Sequence, residues 1–290
     1  MTNLKRLKVA VTGANGFVGR NLSHLLVAKG LDTLQIVRKR KKIKSGMIII
    51  SKNLDEKHLS SKLKGCNAFV HLIGIGRQTT HSSYDEVNVN LTKKAIMLCK
   101  EVRIKKIIFI SGLGVNKDTT FGYFISKFRA EQEIINSGLD YTIFRASYII
   151  GRNDPLTRTI SEQYKKGVIT IYGSGKYHLQ PIFIDDVVEV IFQSLTDKKF
   201  SYKIIDLVGP QIITYLSFIQ NFLQGRKVSI KKISFEEAYH QALNNLDSQI
   251  GVDDLNILVG DFIGDPKVLK KISHVKFKTY KKALKTSTFS

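Results

Sequence analysis

Cysteine, proline and tryptophan are scarce in this sequence. Its 290 residues include two Cys, four Pro and no Trp. Cys66 and Cys99 are too few for a disulfide framework, so we expect a reduced, cytoplasmic setting. No apolar run approaches the ~18 residues that a membrane-spanning helix requires, and none is predicted. The 43% hydrophobic and 24% charged content is that of a globular chain and argues against disorder.

Acidic residues are also few beside the basic ones. The chain has 46 Lys plus Arg and 24 Asp plus Glu, a formal net charge of +22. Such a charge suggests nucleic acid or an anionic surface. Lysines outnumber arginines 35 to 11 and no aromatic–basic module accompanies them, so we expect no nucleic-acid partner. The segment Lys267–Ser290 holds eight lysines and no acid, and it stays a candidate contact for an anionic surface or a protein partner.

Short apolar runs alternate with helical patterns over the first ~145 residues, which is typical of βαβ units. The prediction is an α/β fold, a Rossmann-type doubly wound parallel sheet with a smaller C-terminal cap on the substrate side. The core is predicted over 1–150, with 179–210 contributing to the sheet, and the cap over 151–178 and 211–290. One long helix is predicted over Ser82–Val102, and the chain from Ile213 onward is predicted to be mostly helical.

A glycine-rich turn follows the first predicted strand, with Gly-x-x-Gly-x-x-Gly spacing over Thr12–Gly19. Gly13 permits a sharp turn, Gly16 lets backbone approach a pyrophosphate, and Gly19 lets the next helix pack closely. The start of that helix offers free N–H groups to an anion. A plain turn is the alternative, but the strand before and helix after favour a dinucleotide site. Its predicted residues are Gly13, Asn15, Gly16, Phe17, Val18 and Gly19.

Basic residues stand where an NAD site usually places a carboxylate. Arg38 lies 19 residues after Gly19, at the end of the second predicted strand, and is followed by Lys39 and Arg40. A guanidinium can hold the 2′-phosphate of NADP through two parallel hydrogen bonds, so NADP is predicted over NAD. The alternative is a solvated lysine-rich loop, and we give Lys41, Lys42 and Lys44 no role.

Tyr123 and Lys127 have the spacing of neighbours on one helix face. A lysine charge beside a phenol favours its ionisation, and such a tyrosine can exchange a proton with a substrate carbonyl or hydroxyl. The spacing alone is weak, since Tyr172 and Lys176 share it, although the glycines between them favour a turn. The place of Tyr123, just after the fifth predicted strand, favours it.

Several motifs in order resemble the extended and atypical short-chain dehydrogenases/reductases. They are TGANGFVG at Thr12–Gly19, NVNLT at Asn88–Thr92, IIFISGLGV at Ile107–Val115, YFISK at Tyr123–Lys127, YTIFRASYIIG at Tyr141–Gly151 and QPIFIDDVV at Gln180–Val188. Within that superfamily the chain is most similar to the group containing the NADPH-binding accessory subunit of respiratory complex I.

The resemblance implies a role for each matching position. The three glycines would hold pyrophosphate and Arg38 the adenosine phosphate. Leu72, Ile73 and Gly74 would border the path from adenine to nicotinamide. Lys127 would bind the nicotinamide ribose, and Tyr123 would be the acid/base.

The chain departs from the family where active members carry a second hydroxyl after the fifth strand. Here Ser111 is followed by Gly112 and Leu113, so either Ser111 polarises the substrate oxygen or the site lacks one member of its triad. Two hypotheses follow. The first is an NADP-dependent oxidoreductase or nucleotide-sugar epimerase/dehydratase acting on a small molecule. The second is an NADPH-binding structural or sensor protein with little turnover. The seven histidines form no pair at metal-ligand spacing, so no metal is predicted.

Overall fold

A computed structural model describes residues 7–40, 46–244, 251–258 and 260–286. Lys41, Lys42, Lys44 and the last four residues of the lysine-rich tail lie outside them. The strands are β1 (Lys8–Thr12), β2 (Asp32–Val37), β3 (Met47–Ile50), β4 (Ala68–His71), β5 (Lys106–Gly112), β6 (Asp140–Ala146), β7 (Ile149–Ile150), β8 (Val168–Tyr172), β9 (His178–Leu179), β10 (Ile182–Phe183), β11 (Lys203–Leu207), β12 (Ile213–Thr214) and β13 (Ser229–Ile233).

Helices connect and cover these strands. They are α1 (Phe17–Ala28), α2 (Lys57–Leu63), α3 (Leu91–Glu101), α4 (Gly122–Ile135), α5 (Pro155–Lys165), α6 (Ile184–Ser194), α7 (Tyr215–Leu223), α8 (Phe235–Asn244), α9 (Val252–Leu258), α10 (Lys267–Ile272) and α11 (Tyr280–Thr286). A π-helical turn, Asp85–Asn90, precedes α3, and a 3₁₀ turn, Lys198–Phe200, follows α6.

Seven strands form one parallel sheet in the order β11-β6-β5-β4-β1-β2-β3. Their middle residues are buried because helices cover both faces, which is why the strands are apolar runs and not alternating patterns. Helices α1 and α6 share one core cluster, and α2, α3 and α4 share the other. This confirms the predicted Rossmann-type α/β fold.

The strand order reverses between β1 and β4, which are neighbours although β2 and β3 come between them in sequence. A doubly wound sheet opens a crevice outside the carboxyl ends of its strands at such a point. The register pairs Thr12 with His71 there, so the ends of β1 and β4 are level. The glycine turn after β1 and the segment after β4 therefore face each other.

The structure differs from the predicted secondary structure in three places. The segment predicted as one helix over Ser82–Val102 contains the π-helical turn Asp85–Asn90 before α3, and the Thr92 hydroxyl donates to the Asn88 carbonyl at 2.7 Å. Helix α5 was missed, although Asp154 caps it through the Thr157 amide and Pro155 occupies its first turn. The strands β7, β9 and β12 were not predicted because two residues carry no periodicity.

Candidate functional site

The glycine turn is held against the sheet by contacts that admit no side chain. Gly13 has φ +65°, and a Cβ there would lie 2.9 Å from the Leu72 carbonyl oxygen. A Cβ on Gly19 would overlap the Gly13 carbonyl oxygen. The Gly16 amide donates to that same oxygen at 2.8 Å. Backbone atoms thus fill the space next to the turn. Helix α1 begins directly after the turn.

The first turn of α1 presents positive potential to the crevice. Gly16 is its N-cap and supplies no side-chain acceptor, and the first turn of the helix contains no acidic residue. The first N–H groups of a helix have no intrahelical acceptor, so they are free to bind an anion. Asn15 Nδ2 donates to the Lys39 carbonyl at 2.9 Å, and its Oδ1 is buried with no hydrogen-bond partner among the described residues.

That hydrogen bond joins the glycine turn to the segment after β2. Arg38 is exposed directly beyond the end of this strand, where β2 lies next to β1. The structure therefore places Arg38 beyond the carboxyl end of β2, apart from the pocket that Tyr123 and Lys127 line. Asp55 is the first acidic residue after it in the sequence.

The segment after β4 forms the opposite wall, and Asn88 holds it. Asn88 Oδ1 accepts from the Ile75 amide at 2.9 Å, and Nδ2 donates to the Ile75 carbonyl at 3.1 Å and to Ser126 Oγ at 2.9 Å. A Cβ on Gly74 would lie 3.6 Å from Lys127 Nζ. The sequence predicted no role for Asn88. The only indication of one was its place in the NVNLT motif, ahead of an apolar helix.

Lys127 is almost fully enclosed on α4. It is 4% exposed, its Nζ donates to the Ile110 carbonyl at 2.8 Å, and the same atom lies 4.1 Å from the centre of the Phe109 ring. Burial lowers the pKa of Lys127 to about 7, against a smaller opposing effect of the Glu131 charge. The lysine therefore titrates near neutral pH.

Tyr123 lies one helical turn before Lys127 and contacts aromatic neighbours. Its ring centre is 6.1 Å from that of Tyr84 and 5.2 Å from that of Phe124. Burial, with a smaller effect of Glu131, raises the pKa of Tyr123 to about 12. Ionisation of this phenol is therefore disfavoured as the site stands, because removal from water outweighs the benefit expected from the lysine.

Gly112 and Leu113, where the chain departs from the family, lie beside Tyr123 and in a small apolar cluster respectively. A Cβ on Gly112 would lie 3.1 Å from the Tyr123 hydroxyl oxygen, tighter than ordinary contact. Leu113 is buried in a small cluster with Phe124 and Phe262. Ser111 Oγ is buried and has no hydrogen-bond partner within the described part of the chain. A side chain at position 112 would therefore crowd the Tyr123 hydroxyl, while Leu113 packs into the apolar cluster and supplies no hydroxyl.

These walls enclose a cavity of about 190 Å³ at the carboxyl edge of the sheet. It is lined by Val18, Leu72, Ile73, Gly74, Ile75, Gly76, Ile110, Ser111, Tyr123 and Lys127. The structure therefore brings seven predicted site residues into one lining, with the glycine turn beside them and Arg38 outside.

A buried ion pair lies behind the tyrosine–lysine pair. Glu131, one turn after Lys127 on α4, is fully buried and accepts from Arg145 Nε at 3.1 Å and from Nη2 at 2.7 Å. Arg145 is on β6, in register with Ser111 on β5. The sequence alone indicated a role for neither residue, although Arg145 lies inside the Tyr141–Gly151 motif and Glu131 lies one helical turn after Lys127.

The remaining candidate residues have ordinary structural places. Cys66 and Cys99 are free and buried, and burial raises the pKa of both thiols. His71 is buried with Nδ1 2.9 Å from the Thr12 hydroxyl. No cluster of three His, Cys, Asp or Glu suited to a metal ion occurs among the residues described. In the same residues, no helix has the length and apolar character to cross a membrane.

Known proteins resemble this chain in sequence and in fold. A family model described as NAD(P)H-binding matches residues 13–198. The chain is 27% identical over 226 residues to the mitochondrial NADH dehydrogenase [ubiquinone] 1 alpha subcomplex subunit 9 of Arabidopsis thaliana, covering 73% of this chain and 56% of that protein. It is 27% identical over 215 residues to YhfK, an uncharacterised sugar epimerase of Bacillus subtilis, covering 69% of this chain and 94% of that protein.

A solved structure repeats the fold over nearly the whole chain. MoeE5, in complex with UDP-glucuronic acid and NAD, matches this chain with a TM-score of 0.78 and 16% sequence identity. The match covers 97% of each chain. At that identity the likeness concerns the fold. The chain spans little more than half the length of the Arabidopsis protein that it matches.

Proposed function

This chain belongs to the NAD(P)H-binding family, among the epimerase/dehydratase-like short-chain dehydrogenases/reductases, and from that membership we propose that it is an NADP-dependent oxidoreductase or nucleotide-sugar epimerase/dehydratase. The observation that carries the proposal is the shared cavity lining of Tyr123, Lys127 and Ser111 beside the glycine turn. Two buried free cysteines suit a reducing cytoplasm, where we place the protein.

The residues present fit a dinucleotide. Backbone replaces side chains at Gly13 and Gly19, and the free N–H groups of α1 face the turn, which suits a pyrophosphate. Leu72, Ile73 and Gly74 would border the cofactor, and Lys127 would bind its ribose. When bound, the nicotinamide supplies or accepts a hydride.

The chain's own residues would handle the proton. Tyr123 Oη gives a proton to the substrate oxygen when the substrate is reduced and takes one when it is oxidised. Protonated Lys127 stabilises the phenolate, which matters because the pKa of Tyr123 is raised to about 12. Ser111 Oγ, buried without a partner among the described residues, is free to donate to the same oxygen.

The substrate would lie between the carboxyl edge of the sheet and the cap. We propose the cap as 151–178 and 211–290, and the core as 1–150 with 179–210. Helix α9 reaches the cavity mouth, since Arg77 Nε is 3.5 Å from an Asp254 oxygen. A nucleotide-sugar is supported by the ligand of MoeE5, which has the same fold.

We propose NADP as the preferred dinucleotide because Arg38, and no carboxylate, follows β2. The structural neighbour named above holds NAD, so the preference needs its own test. The measurement is calorimetric titration of the purified chain with NADPH and NADH. NADPH is expected to bind more tightly, and Arg38→Ala to weaken NADPH about 10- to 100-fold, the loss of a charged hydrogen-bond pair. The matched Arg103→Ala, at an exposed position before β5 on the amino edge of the sheet, is expected to have little effect. Equal affinities, or tighter NADH, would refute the preference.

Turnover tests the enzyme itself. Wild-type protein with bound cofactor is assayed against sugar nucleotides and small carbonyl compounds, by following the redox state of the nicotinamide. Tyr123 is predicted to contact the cofactor as well as to be the acid/base. Tyr123→Phe removes the proton donor and keeps the aromatic ring, so turnover is expected to fall at least ~100-fold. Tyr202→Phe, at a site 62% exposed, is the matched control. Turnover that survives in Tyr123→Phe contradicts the assigned role.

One set of observations favours the second function, an NADPH-binding protein with little turnover. Gly112 and Leu113 provide no hydroxyl, and Lys127 Nζ is already bonded to the Ile110 carbonyl. The sequence similarity to the Arabidopsis complex I subunit also favours this second function. Tight cofactor binding in a protein whose cofactor stays unchanged through the substrate panel would support this function over the first.

A further inference from the structure

Two stretches of the chain contain basic residues and no acidic ones. Residues 207–235 carry four Lys or Arg, and residues 266–290 carry eight Lys. Together they hold 12 of the +22 formal net charge. The two stretches are far apart in sequence, so composition alone does not show that they meet.

The structure brings them together. Helix α11 from the second stretch and α7 from the first line a groove of about 390 Å³, between Asn221, Gln224, Lys281, Leu284 and Lys285. Lys281 and Lys285 are one helical turn apart and therefore share a face. Arg226 and Lys227 follow Gln224 after one residue, Gly225. We call this the α7/α11 groove.

Contacts with the rest of the fold hold α11 in place. The Lys278 amide donates to Asp186 Oδ2 at 2.7 Å, and Lys278 Nζ pairs with Asp185 at 3.1 Å. Tyr280, Ala283 and Leu284 are buried against the fold. The charged side chains on the exposed face are therefore carried by a helix that packs against the fold.

Like charges one turn apart repel each other, and neither Lys281 nor Lys285 has an ion pair with a described residue. A carboxylate between them would relieve that repulsion. Asn221 Nδ2 is bonded to the Ser217 carbonyl at 2.7 Å, which leaves its Oδ1 to accept from a peptide N–H. The groove thus offers cations for carboxylates and an acceptor for backbone.

We propose that the α7/α11 groove is a docking site for an acidic segment of a partner protein. Charge complementarity and the concave shape carry this choice. An anionic membrane is less suited because α11 has no apolar face left to insert, its apolar side chains being buried in the fold.

The test uses a fluorescein-labelled octaglutamate peptide and the full-length protein, with binding followed by fluorescence anisotropy. The double variant Lys281→Glu/Lys285→Glu is expected to bind at least ~10-fold more weakly. Lys57→Glu/Lys100→Glu makes the same change in net charge on α2 and α3, which cover the opposite face of the sheet, and is expected to change affinity less than ~2-fold. Circular dichroism checks folding, and Lys281→Gln/Lys285→Gln is the milder substitute.

Hydrogen exchange locates the peptide. Protection of residues 215–224 and 280–285 on peptide binding supports the proposal. Equal weakening in the two charge-reversed variants would overturn it, because net charge alone would then explain the binding. So would lysine-dependent binding to phosphatidylserine vesicles with none to the peptide.

Discussion

The buried ion pair behind Lys127 is expected to hold the site together. Glu131 accepts two hydrogen bonds from Arg145, which joins α4 to β6 beneath the cavity. Glu131→Gln keeps the shape of the side chain and removes its charge. The variant leaves the Arg145 guanidinium without its counter-charge in a site where that side chain is 23% exposed.

Breaking one partner of a buried pair costs about 3–5 kcal/mol, and the partial exposure of Arg145 reduces this to about 2–4 kcal/mol. That is a large share of the ~5–15 kcal/mol stability of a typical domain. Glu133→Gln is the matched control on the same helix. Glu133 pairs with Lys93 at 3.2 Å with both side chains more than 40% exposed, so its loss costs about 0–1 kcal/mol.

The assay is equilibrium urea unfolding of wild type and both variants, followed by far-ultraviolet circular dichroism. The double variant Glu131→Leu/Arg145→Leu is expected to recover part of the loss, since replacing both charges removes the unpaired one. Similar losses in Glu131→Gln and Glu133→Gln would refute the reasoning, because the buried geometry would then contribute nothing beyond a surface pair.

Two further predictions concern pH. Burial lowers the pKa of His71 to about 3 from 6.5, so the unfolded chain binds a proton that the folded chain does not, and stability falls as pH decreases from 6.5. His71→Leu should flatten this fall, which has a limiting slope of about 1.4 kcal/mol per pH unit; an unchanged slope in urea unfolding would contradict it. Burial lowers the pKa of Lys127 from 10.5 to about 7, so its contribution makes stability increase with pH between these values. Lys127→Met should remove that increase between pH 7 and 9, and a parallel pH profile in the variant would show that the lysine is not desolvated.

The sequence predicted the sheet well because parallel strands buried on both faces are continuous apolar runs. The apolar runs at Leu7–Thr12, Lys106–Ser111 and Tyr141–Arg145 predict strands whose bounds lie within one residue of β1, β5 and β6. The glycine turn also marked the start of α1. Short elements such as β9 and β12 carry no such signal, since their pairing depends on residues distant in the chain.

The candidate site was predictable residue by residue but not as an assembly. The positions of Tyr123 and Lys127 follow from helical spacing. That Gly112 leaves room for the Tyr123 hydroxyl, or that Arg145 reaches Glu131, depends on how α4 packs against β5 and β6. The pKa of Tyr123 was expected to be lowered by the lysine, whereas burial raises it, and burial is a tertiary property.

The central claim is that a nicotinamide dinucleotide binds on the glycine turn, and calorimetric titration of NADPH into Gly19→Ala tests it most directly. A Cβ at Gly19 would overlap backbone. Gly138→Ala is the control, because its φ of +78° also disfavours alanine, but its Cβ would lie in open space remote from the turn. Both variants are compared with wild type under conditions where circular dichroism shows them folded. The account predicts wild-type affinity in Gly138→Ala and at least a ~10-fold loss in Gly19→Ala. Wild-type affinity in Gly19→Ala would contradict it.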